Sequence, residues 1–109
     1  MTEVIFISEK ESVIPVAFTN VIRLEAKGTS TIVHLKEKKH HIWTKSLKDV
    51  EKKLDPGIFF RIHKSHIINI REMMKYVKGR GGKAVMSDGA SIEVAARRKS
   101  DFLSALAGN

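Results

Sequence analysis

Valine, isoleucine, threonine and phenylalanine come in short bursts along this chain, and each burst is soon cut off by glycine, proline, aspartate or a group of charges. That rhythm restricts the backbone to many short strands, because β-branched and aromatic side chains suit a pleated surface and the breakers suit turns. Residues 4–7 and 13–18 are the first candidates; Pro15 cannot donate to a ladder and confines the second to a sheet edge or an irregular piece. Residues 21–25 and 31–35 flank a loop at 26–30, and 41–44 return after the charged turn at 36–39. The run 58–70 is dense in β-branched and aromatic residues, which favours strand. Beyond Tyr76 and the glycine-rich turn 79–82, residues 83–87 and 90–94 are joined by Asp88-Gly89, which fits a two-residue type I′ hairpin turn.

Two stretches change period. Leu47, Val50 and Leu54 fall on one face of a short helix, with Ser46 as its cap and Asp49 at the third helical position. Asp55-Pro56-Gly57 stops it, and so short a helix needs a sheet to pack against. Residues 98–107 read as a second helix with Phe102, Leu103 and Leu106 as its apolar side and Gly108 beyond its end. The expected fold is therefore mostly β, antiparallel, with one short internal helix and a C-terminal helix. A chain of 109 residues has room for one core, so residues 1–109 are expected to form a single domain.

Charge narrows the partner. Residues 1–25 hold two basic side chains against four acidic ones, whereas residues 26–109 hold 18 against 8. A basic body suits a polyanion: nucleic acid first, then an anionic membrane surface or an acidic protein. Residues 61–99 carry Arg61, Lys64, Arg71, Lys75, Lys78, Arg80, Lys83, Arg97, Arg98 and Lys99, several of them in turns or at element ends. Arginine matches guanine with a bidentate fork, and lysine serves as a point charge for phosphate. Within nucleic acids, duplex DNA is favoured over RNA. RNA-binding sheets expose aromatic platforms, and most of the seven aromatics here sit in apolar runs that the core needs.

Other chemistries lack their residues. With no cysteine there is no disulfide framework, thiolate metal site or cysteine nucleophile. Gly79-Arg80-Gly81-Gly82-Lys83 fails the P-loop spacing and leads into a strand. His63 and His66 point to opposite faces if they lie on one strand, and the adjacent His40 and His41 diverge likewise, so no metal site is expected. Glu72, Asp88 and Glu93 are scattered and no nucleophile is paired with a base, so neither an enzyme, a small-molecule substrate nor a cofactor is expected. No apolar run approaches the ~18 residues of a membrane span. The first residues lack the basic region and cleavage site of a signal peptide, so a cytoplasmic location is expected.

Phe60-Arg61-Ile62-His63-Lys64-Ser65-His66-Ile67-Ile68-Asn69 resembles the central signature of the LytTR family of bacterial DNA-binding domains, approximately F-x-R-I-H-R-S-Y-L-V-N. Ile22-Arg23-Leu24-Glu25-Ala26-Lys27-Gly28 is similar to the family's I-x-x-I-E-A-x-G strand and loop, Ser46-Leu47 with Leu54 to its short helix, and the stretch from Ser87 through Arg98 to its closing hairpin and basic loop. The likeness spans roughly residues 10–106. It implies an elongated fold of about ten strands in small antiparallel sheets, acting as the output domain of a two-component response regulator. It also implies sequence-specific binding of promoter DNA through loops in the major groove, with a homodimer or two copies on paired repeats.

Carried over by position, Lys27, Gly28, Thr29 and Ser30 form a groove-facing loop, and Lys64 replaces the arginine beside the DNA backbone. Arg97 aligns with the last arginine of the family's V-S-R-R stretch, as the candidate for base readout. His66 stands at the family's tyrosine and Ser30 at a common aromatic; Ala95-Ala96 replaces Ser-Arg, which moves one basic contact to Arg98 or loses it. A receiver domain of ~120 residues does not fit beside this fold in 109 residues, so the chain is a fragment or a free-standing domain. A basic protein-interaction module and an RNA-binding domain are the alternatives. The DNA reading requires the 27–30 turn, Lys64 and Arg97 on one side of the molecule.

Overall fold

The computed structural model describes residues 3–107 and contains ten strands and two α-helices. In chain order these are β1 (Val4–Ser8), β2 (Val13–Ala17), β3 (Val21–Lys27), β4 (Ser30–Leu35), β5 (His40–Trp43), α1 (Leu47–Glu51), β6 (Phe59–His63), β7 (His66–Asn69), β8 (Met73–Val77), β9 (Lys83–Met86), β10 (Ser91–Glu93) and α2 (Ala96–Ala107). All pairings are antiparallel and form three sheets: β1-β2, a five-stranded sheet β5-β4-β3-β7-β6, and β10-β9-β8. The molecule measures 43 × 27 × 24 Å, elongated as the family resemblance implies.

Strand periodicity, reset in β3 by a bulge between Val21 and Arg23, sorts the apolar side chains between two cores. Leu24, Val33, Trp43, Leu35 and Ile67 on one face of the five-stranded sheet pack with Ile5, Ile7 and Val16 from the β1-β2 hairpin and with Leu47 and Val50 from α1. Their neighbours Ile22, Ile62 and Ile68 join Ala84, Met86, Ile92, Val94 and Phe102 from the small sheet and α2. Phe102 fixes α2: it is buried between the rings of Phe60 and Tyr76, both edge-on, at centroid distances of 6.2 and 5.8 Å. Asn69 is the buried polar joint. Its amide donates to the carbonyls of Val21 at 2.8 Å and Phe18 at 3.5 Å, and its Oδ1 accepts the Arg71 N–H at 3.0 Å.

Local chemistry accounts for the elements. Ser46 caps α1 by accepting the Asp49 N–H at 3.2 Å. Pro15 lies opposite Phe6 in the two-stranded sheet, where a missing N–H is tolerated. Leu54 follows α1 in a turn and is buried in the first core. Gly108, read as the residue beyond the second helix, lies outside the described residues.

Four local expectations are corrected. The 58–70 run is a hairpin, β6 and β7, that reverses at Lys64-Ser65 and continues into a 3-10 turn at Ile70–Glu72. The 26–30 loop shrinks to a two-residue turn, Gly28-Thr29, because Lys27 and Ser30 already pair; Gly28 takes φ 59 at the first central position, as a type II′ turn requires. Asp88-Gly89 belongs to a three-residue loop. The Gly89 N–H meets the Met86 carbonyl at 2.9 Å, Met86 N–H meets Ala90 at 2.8 Å, and only Gly89 has a positive φ, 88°. A type I turn followed by a left-handed glycine makes this loop, whereas type I′ needs both central residues left-handed. Finally, α2 begins at Ala96, two residues before the expected start at Arg98, so Arg97 lies in its first turn rather than in a loop.

Candidate nucleic-acid interface

Three chain segments meet at one end of the five-stranded sheet. The β3–β4 turn carries Lys27, Gly28, Thr29 and Ser30. Beside it lies the β6–β7 turn with Lys64, since β3 pairs with β7 and the Ala26 N–H donates to the Ser65 carbonyl at 2.9 Å. Next comes the start of α2: the Ala95 N–H donates to the Ile62 carbonyl at 2.8 Å, one residue before the end of β6. The order along this edge is therefore β4, β3, β7, β6, α2. Lys27, Gly28, Thr29, Lys64 and Arg97 are exposed, and Ser30 is half-buried. Three steps of ~4.8 Å separate β4 from β6.

The structure treats the two α2 arginines differently. Arg97 projects into solvent. Arg98 turns inward: its Nη1 donates to the Arg61 carbonyl at 3.3 Å and its Nε is buried. With Lys99, these side chains place three cations and no acid in the first turn of α2. The N-terminal end of a helix dipole is already positive, so cations there are unfavourable on their own and an anion is attracted.

Arg61 shapes the β6–β7 turn, a role the sequence did not single out although the residue lies in the quoted signature. Its Nε donates to the His63 carbonyl at 3.0 Å, Nη2 to the Lys64 carbonyl, and Nη1 to Glu51 Oε1 at 2.8 Å. The Ser65 N–H closes the turn on His63 Nδ1 at 3.1 Å. The backbone beneath Lys64 is thus held from two sides.

Behind the turns runs a polar row that the sequence reading also missed. His34 Nε2 lies 2.9 Å from Glu25 Oε1, Glu25 pairs with His66 across β3 and β7, and His66 pairs with His63 across the turn. Arg23 joins it, 3.7 Å from Glu25 and 2.8 Å from Asp88. The hydrogen bond from His34 holds the Glu25 carboxyl below its usual range against the opposing effect of burial, helped by the charges of His34, Arg23 and His66. Burial pushes His66 down, and the neighbouring charge of Glu25 offsets part of that. Burial would raise Asp88, but the Ala90 N–H and Arg23 outweigh it and hold the acid down. His63 and His66 were expected on opposite faces; the turn between them brings their rings within 5.3 Å. Even so, among the described residues no group of three or more His, Asp or Glu is placed to hold a metal.

Ion pairs occur at both ends of the sheet, and the three tip cations stand outside them. At the far end Lys36 sits 3.5 Å from Glu72 and Lys39 lies 3.8 Å from Glu37. Among the described residues, the side chains of Lys27, Lys64 and Arg97 have no ion-pair partner. No helix among the described residues is long and apolar enough to cross a membrane.

Known proteins share this fold. The profile of the LytTr DNA-binding domain matches residues 11–107. The solved LytTr DNA-binding domain of a methyl-accepting/DNA response regulator from Bacillus cereus superposes with a TM-score of 0.82 at 27% identity, covering 97% of this chain and 98% of that one. Two heme-containing CO-sensing transcriptional regulators from Paraburkholderia xenovorans (strain LB400), RcoM 2 and RcoM 1, are each 28% identical over 90 residues, 82% of this chain. The match spans 33% of each regulator, about a third of its length.

Proposed function

The chain belongs to the family of LytTr DNA-binding domains, and from that premise we propose that it binds double-stranded DNA sequence-specifically, as the output domain of a bacterial transcription regulator. The observation that carries the reading is the convergence of the β3–β4 turn, the β6–β7 turn and the start of α2 on one edge, each with an exposed cation lacking an ion-pair partner among the described residues. Four strands at ~4.8 Å spacing span ~14 Å, more than the ~12 Å width of a major groove. The row therefore has to enter the groove and also meet its phosphate walls. In this reading Lys27, Gly28, Thr29 and Ser30 enter the groove, Lys64 meets phosphate, and Arg97 reaches a base edge. Arg98 acts by steadying β6 against α2, consistent with its bond to the Arg61 carbonyl.

The role is binding rather than catalysis, exercised in the cytoplasm. Two copies on paired promoter repeats are the proposed assembly, and a response regulator, as in the Bacillus cereus relative, is the proposed setting. Titration of duplexes varied one base pair at a time tests the residue roles. Arg97→Ala is expected to cost ~1–3 kcal/mol and to relax preference at one base pair. Lys64→Ala is expected to weaken every sequence alike and to reduce the salt slope by about 0.9. A uniform loss for Arg97→Ala assigns Arg97 to phosphate, and an unchanged slope for Lys64→Ala removes Lys64 from the backbone contacts.

A further inference from the structure

We propose that the glycine-rich turn between β8 and β9 is a fourth DNA-contacting element, with Arg80 reaching a phosphate on the flank of the site; this rests on the duplex-DNA reading above. Two hydrogen bonds bring the turn to the same end of the molecule. The Val94 N–H donates to the Gly82 carbonyl at 2.9 Å, and Lys99 Nζ donates to the Gly79 carbonyl at 3.2 Å. Val94 precedes α2 and Lys99 lies in its first turns, so the turn is tied to the segment that presents Arg97. Register agrees: Lys83 at the start of β9 faces Glu93 at the end of β10, just before α2.

The turn is anchored at its base. A Cβ on Gly82 would stand 1.9 Å from Tyr76 Oη, so only glycine fits against that ring. Tyr76 in turn packs on Phe102 of α2. Gly79 and Gly81 take φ 114 and 67, conformations that glycine reaches without a Cβ penalty. Around this base Lys78, Arg80 and Lys83 are exposed, and none has an ion-pair partner among the described residues. A neighbouring acid argues for a side-chain contact by Arg80: Glu93 Oε2 lies 3.1 Å from where a Gly81 Cβ would be, which disfavours a phosphate against the Gly81 backbone.

Position fixes the kind of contact. The row of tips already exceeds one groove width, and the β8–β9 turn reaches that row through α2. It therefore falls over the sugar-phosphate backbone, where an arginine contributes affinity without reading sequence.

Equilibrium binding of the whole chain to a random-sequence duplex of ~20 base pairs over a salt series provides the test. Arg80→Gln is expected to weaken binding several-fold on every duplex and to lower the slope of log K against log salt by about 0.9, with Lys75→Gln on β8 unchanged as the control. Unchanged affinity and slope in Arg80→Gln overturn the fourth contact, as does an equal loss in Lys75→Gln, which would mean a diffuse charge effect. Failure of the unaltered chain to bind any duplex overturns the DNA reading itself and takes the fourth contact with it. Thermal unfolding of both variants verifies that the exposed substitutions leave the fold intact.

Discussion

His63 and His66 face one another across the β6–β7 turn, their ring centroids 5.3 Å apart and their planes inclined at 55°. The turn places two groups that can carry like charge at the base of the tip bearing Lys64. Burial is the main cause that holds His66 below the usual histidine range, and the charges of His63, Arg23 and His34 act in the same direction against Glu25.

This arrangement sets a direction for stability against pH. Because the folded state disfavours protonated His66, the unfolded chain binds that proton more readily. Stability should therefore fall as pH drops through the ordinary histidine value of about 6.5 toward the lower folded value. Glu25 and Asp88 are both lowered, so their contributions are lost only further down, as pH falls below the ordinary carboxylate values of 4.5 and 3.8. Thermal unfolding midpoints between about pH 7.5 and 5.5 should decline in the natural chain and decline less in His66→Gln. Equal slopes would show that His66 does not titrate differently on folding.

Arg61 should matter to the fold and to the tip together. Its guanidinium donates to the carbonyls of His63 and Lys64 and to Glu51. Hydrogen bonds to charged groups contribute a net ~1.5–3 kcal/mol each, less where a partner is as solvent-screened as Glu51. Arg61→Ala is expected to destabilise the protein by about 2–3 kcal/mol in urea unfolding. Glu51→Gln, which keeps the turn bonds, should cost well under half as much. Similar losses for both variants would place the effect in the ion pair instead of the turn.

Asn69 makes a sharper test of a buried polar joint. It closes the carbonyls of Phe18 and Val21 and the Arg71 N–H at 1% exposure. Asn69→Leu keeps the volume and removes the bonds to the Val21 carbonyl and from the Arg71 N–H, while the Phe18 carbonyl keeps the Val21 N–H; the loss should cost about 2–4 kcal/mol. A loss under about 1 kcal/mol would mean that water or backbone movement satisfies them.

Much of this molecule is legible in the sequence, and the rest fails for identifiable reasons. Ser46, Pro15 and the short β-branched bursts give α1, the edge strand β2 and most strands directly, because each acts over a few residues. The β6–β7 reversal is only faintly marked: Lys64 reads as a loop or element-end position, but Lys64-Ser65 contains no glycine, asparagine or aspartate, and the turn is held by Arg61 from outside it. Asp88-Gly89 announces a turn but not its length, which depends on the register of Ser91 against Val85. Lys64 and Arg97 stand out in the basic cluster of residues 61–99, but their separate roles, and Lys27 altogether, are legible only through family resemblance. Their common edge is a product of β3–β7 pairing, a contact between segments some 40 residues apart that no local pattern encodes. The inward turn of Arg98, likewise, follows from packing of α2 on β6 and not from its neighbours in the chain.

Amide chemical-shift mapping on titration with a random-sequence duplex of ~20 base pairs at low salt locates the DNA-facing edge residue by residue. The largest changes are expected at Lys27, Gly28, Thr29, Ser30, Lys64, Ser65, Arg97 and Arg98, with little change at the far end, at Lys36, Glu37, Ser87 and Gly89. Changes centred on that far end, or spread evenly over the surface, would contradict that assignment.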